Sequence, residues 1–317
     1  MNDARLPPLT ALRAFEAAAR HLSFSQAAAE LNVTPAALSF QIKSLEEHLG
    51  APVFRRLNRA VELTDAGRTL APGCSSGFSE LSRAWTATKR GLDTTSLTVT
   101  AGPAFTAKWL APRLFDFAQK HPDIDLRFSA SLRLMDFERD GIDVAIRFGM
   151  GGEDKGLFSR VLIKEWLSPM VAPSLASKLK TPSDLARETL LDDDNLQFVQ
   201  PPADWAAWFR AAGVTDPPRI LPRFSQADHA IDAAEAGAGA VLGRISLTAG
   251  ALRDGRLVMP FPIAITTQAH YRVLCPEGME AKPQVAAFLE WITSAVSGTT
   301  DVARDVRFVS AEDIAER

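Results

Sequence analysis

Small and polar side chains are concentrated in one segment near the start of the chain. They are Thr34, Pro35, Ala36, Ser39, Lys43 and Ser44, and the larger Phe40 lies among them. On the outer face of a helix, such side chains can enter a DNA major groove, where hydroxyls bond base edges and an apolar atom contacts a thymine methyl. Helix N–H groups near Ser23, Ser25 and Thr34 can also meet phosphates. These residue types indicate nucleic-acid recognition.

Three arginines, Arg55, Arg56 and Arg59, lie between two short apolar runs at 53–54 and 61–63. The runs predict the strands of a hairpin, which would present the arginines to phosphates or to a minor groove. The alternative is a solvated basic turn. Acidic and basic residues nearly balance in this part of the chain, so binding would depend on where the arginines are placed.

Three short helices would hold these side chains. Helical spacing of apolar residues predicts helices at 9–20 and 26–31, and Ser23 has capping-box spacing to the second. Thr34 followed by proline predicts the start of a third helix, which occupies 35–49 and stops at a glycine. Two helices joined by a short turn form a helix-turn-helix, and the basic hairpin beside it forms a wing.

A long helix is predicted from Asp65 to about Lys89. We expect its apolar residues to form a coiled-coil seam between two subunits, although packing of the helix on its own domain is an alternative. Pro72 should kink or weaken the helix. Cys74 is expected to be a small core residue rather than a redox sensor. The seam comprises Leu70, Cys74, Phe78, Leu81 and Trp85.

Beyond residue 93, short apolar runs alternate with helical stretches, a pattern typical of parallel strands joined by crossover helices. Strands that leave and return predict two α/β lobes around a cleft, with lobe I at about 93–165 and 270–297 and lobe II at about 166–269. Residues 298–317 are expected to form a polar tail that is mobile or loosely docked. The predicted strands are 97–101, 125–130, 143–148, 166–172, 197–199, 219–224, 240–243 and 271–275.

Ligands of such folds bind beyond the carboxyl ends of the strands. Arg147 ends an apolar strand, and a partly buried arginine needs an anion. That anion is either a ligand carboxylate or a structural one, from Asp143 or Asp136. The candidate ligand-binding residues are Pro103, Ala104, Phe105, Thr106, Ser129, Arg147, Phe148, Ser225 and Asp228.

Catalytic and metal-binding motifs are missing from the sequence. G-x-S-x-G, G-x-x-x-x-G-K-[ST] and H-E-x-x-H do not occur, and the glycine-rich run 237–240 follows a helix rather than a strand. We therefore predict no enzymatic activity, no cofactor and no metal. His229 is expected to be structural, Trp205 and Trp208 to pack in a helix, and the acidic run 192–194 to be a solvated loop.

The composition limits the class of protein further. The chain has 317 residues, a net charge of −3 and two cysteines, Cys74 and Cys275. Its length predicts about two or three domains. No apolar stretch reaches the ~18 residues that a membrane span needs, and no secretory signal opens the chain. We expect a cytoplasmic protein with reduced thiols and no membrane partner.

Residues 6–67 resemble the DNA-binding half of LysR-type transcriptional regulators. They include LRAFEAAARHLSFSQAAAELNVTPAALSFQIKSLEEHLGAPVFRR at 12–56 and VELTDAG at 61–67. Three segments, one of them at the start of this same region and two later in the chain, are similar to the subgroup that contains regulators of glycine cleavage and of β-lactamase induction. These segments are RLPPLTALRAFEAAARHLSF, PAFTAKWLAPRL and DVAIRFG.

The resemblance implies a winged helix-turn-helix at 1–64, a dimerising linker helix at 65–92 and an effector domain of the periplasmic-binding-protein type at 93–297. It also implies homodimers or homotetramers on double-stranded DNA in the nucleoid, an amino-acid-like or carboxylate effector, and RNA polymerase as a further partner. A constitutive architectural DNA binder without a ligand is the alternative function.

By the family pattern, DNA contacts fall in the helix-turn-helix and the wing. Many family members carry a basic or polar residue where Phe40 stands, so the base preferred at that position is open. The implied contacts are Ser23, Ser25, Thr34, Pro35, Ala36, Ser39, Phe40, Gln41, Lys43, Arg55, Arg56 and Arg59.

Overall fold

The chain forms two compact units, Met1–Leu92 and Asp93–Arg317. The structure is a computed structural model that describes residues 6–56, 61–92, 95–133, 135–152, 154–215, 220–302 and 305–315. Within those ranges, no helix is both long enough and apolar enough to cross a membrane.

The first unit is a three-helix core with a two-stranded wing and a long helix. Alanines on the inner face of the first helix allow its neighbours to approach closely around Phe15, which is fully buried. The third helix contributes Leu38, Ile42 and Leu45 to the same core. The elements are α1 (Leu9–His21), α2 (Phe24–Glu30), α3 (Pro35–Leu49), β1 (Phe54–Arg56), β2 (Val61–Leu63) and α4 (Asp65–Leu92).

Local capping fixes where the helices begin and end. The Ser23 hydroxyl accepts a hydrogen bond from the Gln26 N–H at 3.4 Å, and the Thr34 hydroxyl accepts one from the Ala37 N–H at 3.2 Å. Gly50 ends α3 with φ of 75°, a conformation that glycine adopts without strain. The predicted start and end of α3 are therefore confirmed.

The predicted seam on α4 divides into two parts. Leu70 and Phe78 are partly buried against the core of the first unit, and Cys74 is buried in it. Leu81 and Trp85 are 56% and 65% exposed. Packing on its own domain therefore accounts for the first half of the seam, while the second half stays mostly exposed within the described part of the chain. The helix continues through Pro72 without interruption.

One nine-stranded sheet runs through the second unit. Its strands are β3 (Ser96–Ala101), β4 (Asp125–Ala130), β5 (Val144–Gly149), β6 (Leu157–Met170), β7 (Leu190–Asp193), β8 (Ile220–Phe224), β9 (Ala240–Arg244), β10 (Ile263–Pro276) and β11 (Arg307–Ser310). Their order in the sheet is β4-β3-β5-β10-β6-β9-β7-β8, with β11 beside β10. Strands β3–β5 are parallel in lobe I, and β7–β9 are parallel in lobe II.

Two antiparallel strands of 14 residues each, β6 and β10, join the lobes. β10 pairs with β5 of lobe I, while β6 pairs with β9 of lobe II. The register between β6 and β10 shifts at Glu165, where Thr266 pairs with Trp166 but His270 pairs with Lys164. A bulge therefore interrupts the ladder where the two strands pass from one lobe to the other, and bulges bend a strand locally.

Helices cover both lobes of the second unit. Trp205 and Trp208 of α9 are fully buried in the core of lobe II, as predicted for helix packing. The helices are α5 (Pro103–Phe105), α6 (Leu114–Lys120), α7 (Phe137–Asp140), α8 (Pro173–Ala176), α9 (Trp205–Ala211), α10 (Ala227–Glu235), α11 (Ile245–Arg253), α12 (Pro283–Val296) and α13 (Ala311–Ala315).

Two predictions for the middle of the chain were wrong. Residues 197–199 do not form a strand; the strand lies earlier, at Leu190–Asp193, and a 3-10 turn follows it at Asp194–Leu196. The acidic run is therefore not a solvated loop throughout. The side chain of Asp193 is only 6% exposed because it faces Arg244 inside the unit.

The prediction of a mobile or loosely docked tail was also wrong. β11 pairs in parallel with the first residues of β10, and α13 packs against α9. Ala311 and Ile314 are 3% and 4% exposed, within the core of lobe II. The few apolar residues of the tail therefore suffice to dock it on a sheet edge.

Candidate functional site

The N-terminal turns of α3 present the predicted reading face. Thr34, Pro35 and Ala36 are exposed, while Ser39 and Gln41 are half-buried. These side chains are short, so the backbone of α3 can approach a groove closely. Lys43 is exposed and lies 3.6 Å from Glu47 one turn later.

Phe40 is the large apolar residue of this face. It is 69% exposed, although most phenylalanines of this unit lie in its core. Phenylalanine has no hydrogen-bonding group, so at a base edge it can offer only an apolar contact, such as one with a thymine methyl.

The wing is an antiparallel hairpin in which Arg55 pairs with Glu62 and Arg56 with Val61. Arg55 is exposed. Arg59 and the side chain of Arg56 lie outside the described part of the structure. Of the two serines near the start of α2, Ser25 is exposed, and Ser23 is half-buried and engaged as the cap.

An ion-pair cluster that sequence reasoning missed joins α1 to α2. Arg20 contacts Glu16 at 3.1 Å and Glu30 at 2.6 Å, and His21 contacts Glu30 at 2.6 Å. The hydrogen bond from Arg20 lowers the pKa of Glu30 to about 2. The cluster holds the end of α1 against α2 and so helps to set the angle of the helix-turn-helix.

A cavity of about 620 Å³ lies between the lobes of the second unit. Four of the predicted ligand-binding residues line it: Ala104, Phe105, Arg147 and Phe148. An aromatic wall is formed where Tyr271 meets Phe105 at 4.4 Å and Phe148 at 5.1 Å between ring centroids. The volume suits a small organic molecule.

The other five predicted residues, Pro103, Thr106, Ser129, Ser225 and Asp228, are not among the lining residues. The Thr106 hydroxyl donates to the Gly102 carbonyl at 2.9 Å, and the Ser225 carbonyl accepts from the Asn195 amide at 2.6 Å. Their near neighbours line the cavity in their place, with Gly102, Ser131 and Gln226 facing it.

Arg147 has only neutral partners among the described residues. It donates to the Ile146 carbonyl at 3.0 Å and to the Thr100 hydroxyl at 3.3 Å. Burial lowers its pKa. The two structural candidates for its anion are engaged elsewhere, since Asp136 caps α7 and Asp143 accepts from the Thr98 N–H at 2.7 Å.

A buried polar cluster lies beside the cavity, near the bulge between β6 and β10. Arg244 is 5% exposed and lies 3.4 Å from both Asp193 and the Tyr271 hydroxyl. Its guanidinium also stacks over Phe148 at 4.5 Å. Glu165 is 2% exposed, and burial raises its pKa to about 7.

The lobes are also joined at the surface. A π-helical turn at Thr106–Leu110 follows α5 and carries Lys108, which contacts Asp232 of α10 at 2.5 Å. Turns of this kind are rare and often lie at functional sites. The ion pair links a helix of lobe I to a helix of lobe II beside the cavity.

Several cavity residues were missed by sequence reasoning, notably Asn195, Arg244, Tyr271 and Arg272. One signal could have found Tyr271, because it is the single tyrosine of the chain and stands in a predicted strand. Among the described residues, no group of His, Cys, Asp or Glu is arranged to hold a metal ion.

The chain matches two family models. Residues 9–68 match the bacterial regulatory helix-turn-helix protein, lysR family, and residues 90–297 match the LysR substrate binding domain.

Two relatives align over most of the chain. The HTH-type transcriptional activator AmpR of Rhodobacter capsulatus is 39% identical over 286 residues, covering 90% of this chain and 96% of the relative. The glycine cleavage system transcriptional activator of Escherichia coli (strain K12) is 39% identical over 292 residues, covering 91% and 93%.

A solved structure covers the second unit. The effector domain of AmpR from Pseudomonas aeruginosa has a TM-score of 0.53 and 31% identity, and the match covers 65% of this chain and 98% of that chain. The fold, the two family models and the long alignments agree. The chain belongs to the LysR family of transcriptional regulators, with an N-terminal helix-turn-helix DNA-binding domain and a two-lobe effector-binding domain.

Proposed function

We propose that this regulator binds specific DNA sequences and that a small organic effector in the interlobe cavity controls its activity. The observation that carries the proposal is the cavity itself, which combines an aromatic wall with Arg147, a cation that has no described carboxylate partner. The charged head group of an effector would supply that partner.

The proposed reading element is the exposed N-terminal half of α3. Ser39 and Gln41 would contact base edges, Phe40 a thymine methyl, and Arg55 the phosphates or the minor groove. The hydrogen-bonded caps at Thr34 and Ser23 hold both helices of the motif in place. The remaining contacts implied by the family resemblance are part of the same proposal.

The proposed assembly is a homodimer, with tetramers formed on DNA. An apolar groove of about 710 Å³ runs along α4 between Leu9, Leu49 and Leu81. Leu81 and Trp85 of α4 are 56% and 65% exposed among the described residues. The α4 helix of a second subunit would cover them, because isolated apolar side chains of this size are stabilised by burial. Leu81→Glu or Trp85→Glu should convert the dimer to monomer in light scattering.

The proposed control is a population shift. An effector that binds one lobe closure more tightly than the other changes the relative population of the two closures. In a tetramer on DNA, that shift would change the spacing or bending of the two half-sites. RNA polymerase is the protein partner that such a regulator would contact at a promoter.

The test is selection of genomic DNA fragments by the purified full-length protein, followed by protection mapping with and without compounds that raise its melting temperature. A ligand stabilises the folded protein by mass action. A protected site with dyad symmetry whose protection changes with such a compound supports the proposal. Sequence-blind, salt-sensitive binding that no compound alters supports a constitutive architectural binder instead.

A further inference from the structure

Two arginines line the cavity as a directly opposed pair. Arg147 on β5 and Arg272 on β10 are register partners in an antiparallel ladder, and both face the cavity. Opposed residues of this kind project from the same face with Cβ atoms about 4.5–5.5 Å apart. Like charges placed directly opposite each other destabilise a sheet. A cation pair at this position therefore needs anions to compensate it.

Only one of the two arginines has an anionic partner among the described residues. Arg272 forms a close ion pair with Asp154, and both side chains are 17% exposed. Its Nε atom is buried without a hydrogen-bond partner. Arg147 bonds only to a carbonyl and a hydroxyl. The pair thus carries two positive charges against one carboxylate.

Apolar side chains form part of the surroundings of the pair. Ala145 and Leu274 are the next register partners on the same face, and they are 5% and 6% exposed. Phe137 and Leu157 line the same cavity. Where water is scarce, the attraction between a guanidinium and an anion is stronger than at an open surface.

Arg244 is the remaining described arginine of the lining, and its positive charge is compensated within the unit. It pairs with Asp193, contacts the Tyr271 hydroxyl and stacks on Phe148. Arg147 differs because its guanidinium reaches the cavity without such a set of partners.

We propose that Arg147 and Arg272 together form an oxyanion subsite, and that the effector is an organic anion whose carboxylate or phosphate lies against this pair and whose apolar body fills the rest of the cavity. The inference rests on the proposed function, because it assumes that the cavity holds the effector. Planar guanidinium groups bind such oxyanions in a bidentate manner. Arg272 retains Asp154, so the new anion balances the charge of Arg147.

Three probes of similar shape test the subsite on the full-length protein: 3-phenylpropionate, phenyl phosphate and the neutral 3-phenylpropanamide. Binding is followed by melting temperature and tryptophan fluorescence at constant ionic strength. We expect one or both anions to bind. The anion that binds more tightly identifies carboxylate or phosphate as the preferred charged group. The amide should bind at least tenfold more weakly than that anion.

Variants test which arginines are responsible for the binding of the anions. Arg147→Gln and Arg272→Gln should each weaken anion binding at least tenfold, and Arg147→Lys should fall between Gln and wild type because it keeps the charge but loses the planar fork. The matched control is Arg160→Gln, which removes an exposed arginine of β6 outside the cavity lining. The melting temperature and tryptophan fluorescence of each variant without ligand verify that the second unit is folded, because five of the six tryptophans lie in it.

Equal binding of the amide, equal anion binding by all variants, or no binding of either anion would overturn the subsite. A failure of the proposed function would give a different result from a failure of the subsite. If the anions fail but a neutral compound raises the melting temperature and alters DNA protection, the cavity still holds an effector and only its anionic character is refuted. If no compound of any class does either, the proposed control by an effector is refuted as well.

Discussion

Replacement of Glu165 by glutamine should remove a specific pH dependence of stability. Glu165 lies at the bulge between β6 and β10 and is 2% exposed. Burial raises its pKa from 4.5 to about 7, because the cost of desolvating the carboxylate outweighs the attraction of Arg244 and the hydrogen bonds from Ser246. We expect desolvation to dominate because Oε1 has no hydrogen-bond partner and the described ion pair of Arg244 is with Asp193.

The direction in which stability changes with pH follows from proton binding. Between pH 4.5 and 7 the folded protein holds a proton on Glu165 that the unfolded chain releases. The stabilisation is therefore fully present below pH 4.5 and is lost as pH rises to 7. A shift of this size is worth about 3 kcal/mol at ~1.4 kcal/mol per pKa unit. The glutamine variant mimics the protonated form, so its advantage over wild type should grow by about 3 kcal/mol across that range.

The assay is urea unfolding of the full-length protein at several values between pH 5 and 8, followed by tryptophan fluorescence. Five of the six tryptophans lie in the second unit, and Trp166 is adjacent to the substituted residue. Glu290→Gln, an exposed carboxyl on α12, is the matched control. Parallel stability curves for wild type and Glu165→Gln would show that Glu165 remains ionised throughout, and the argument from desolvation would then be wrong.

Three further outcomes test other parts of the molecule. Arg55→Ala should weaken DNA binding broadly and reduce the slope of log affinity against log salt by about 1; the same slope as in the exposed control Arg127→Ala would remove the wing from DNA contact. Ser39→Ala should change base preference in a binding selection more than it changes non-specific affinity, whereas a uniform loss on all sequences would make Ser39 a phosphate contact. Phe105→Ala should lower the free energy of unfolding of the second unit by about 3–5 kcal/mol, because the ring is fully buried between Trp109 and Tyr271. Phe198→Ala, at a ring that is 48% exposed, should cost much less, and equal losses would contradict the packing argument.

Sequence reasoning succeeded where a few neighbouring residues determine the structure. Thr34 and Pro35 define the start of α3 by themselves, because the cap and the absent proline N–H act within one helical turn. The strand at Asp125–Ala130 was predicted with its observed bounds. Capping and strand periodicity are local properties, so one sequence is enough to read them.

Sequence reasoning failed where the structure at one position depends on a residue far away in the chain. Asp193 is buried because Arg244, 51 residues later, pairs with it. The tail docks because β10 offers Arg307–Ser310 a parallel partner. Arg272 belongs to the cavity only because β10 returns beside β5. Pairs of this kind are determined by the topology of the sheet. That topology cannot be read from the spacing of residues along the chain.

The return of β10 has a consequence for how the protein is made. The first unit is complete once Leu92 has left the ribosome, and it needs no later residue for its core. The cavity cannot form until Ile263–Pro276 has emerged, because β5 and β6 both pair with that strand. Every nascent chain therefore passes through a stage in which the helix-turn-helix domain is complete and the effector-binding domain is not. A fragment released at that stage by arrest or proteolysis would keep the DNA-binding domain and lack the cavity altogether.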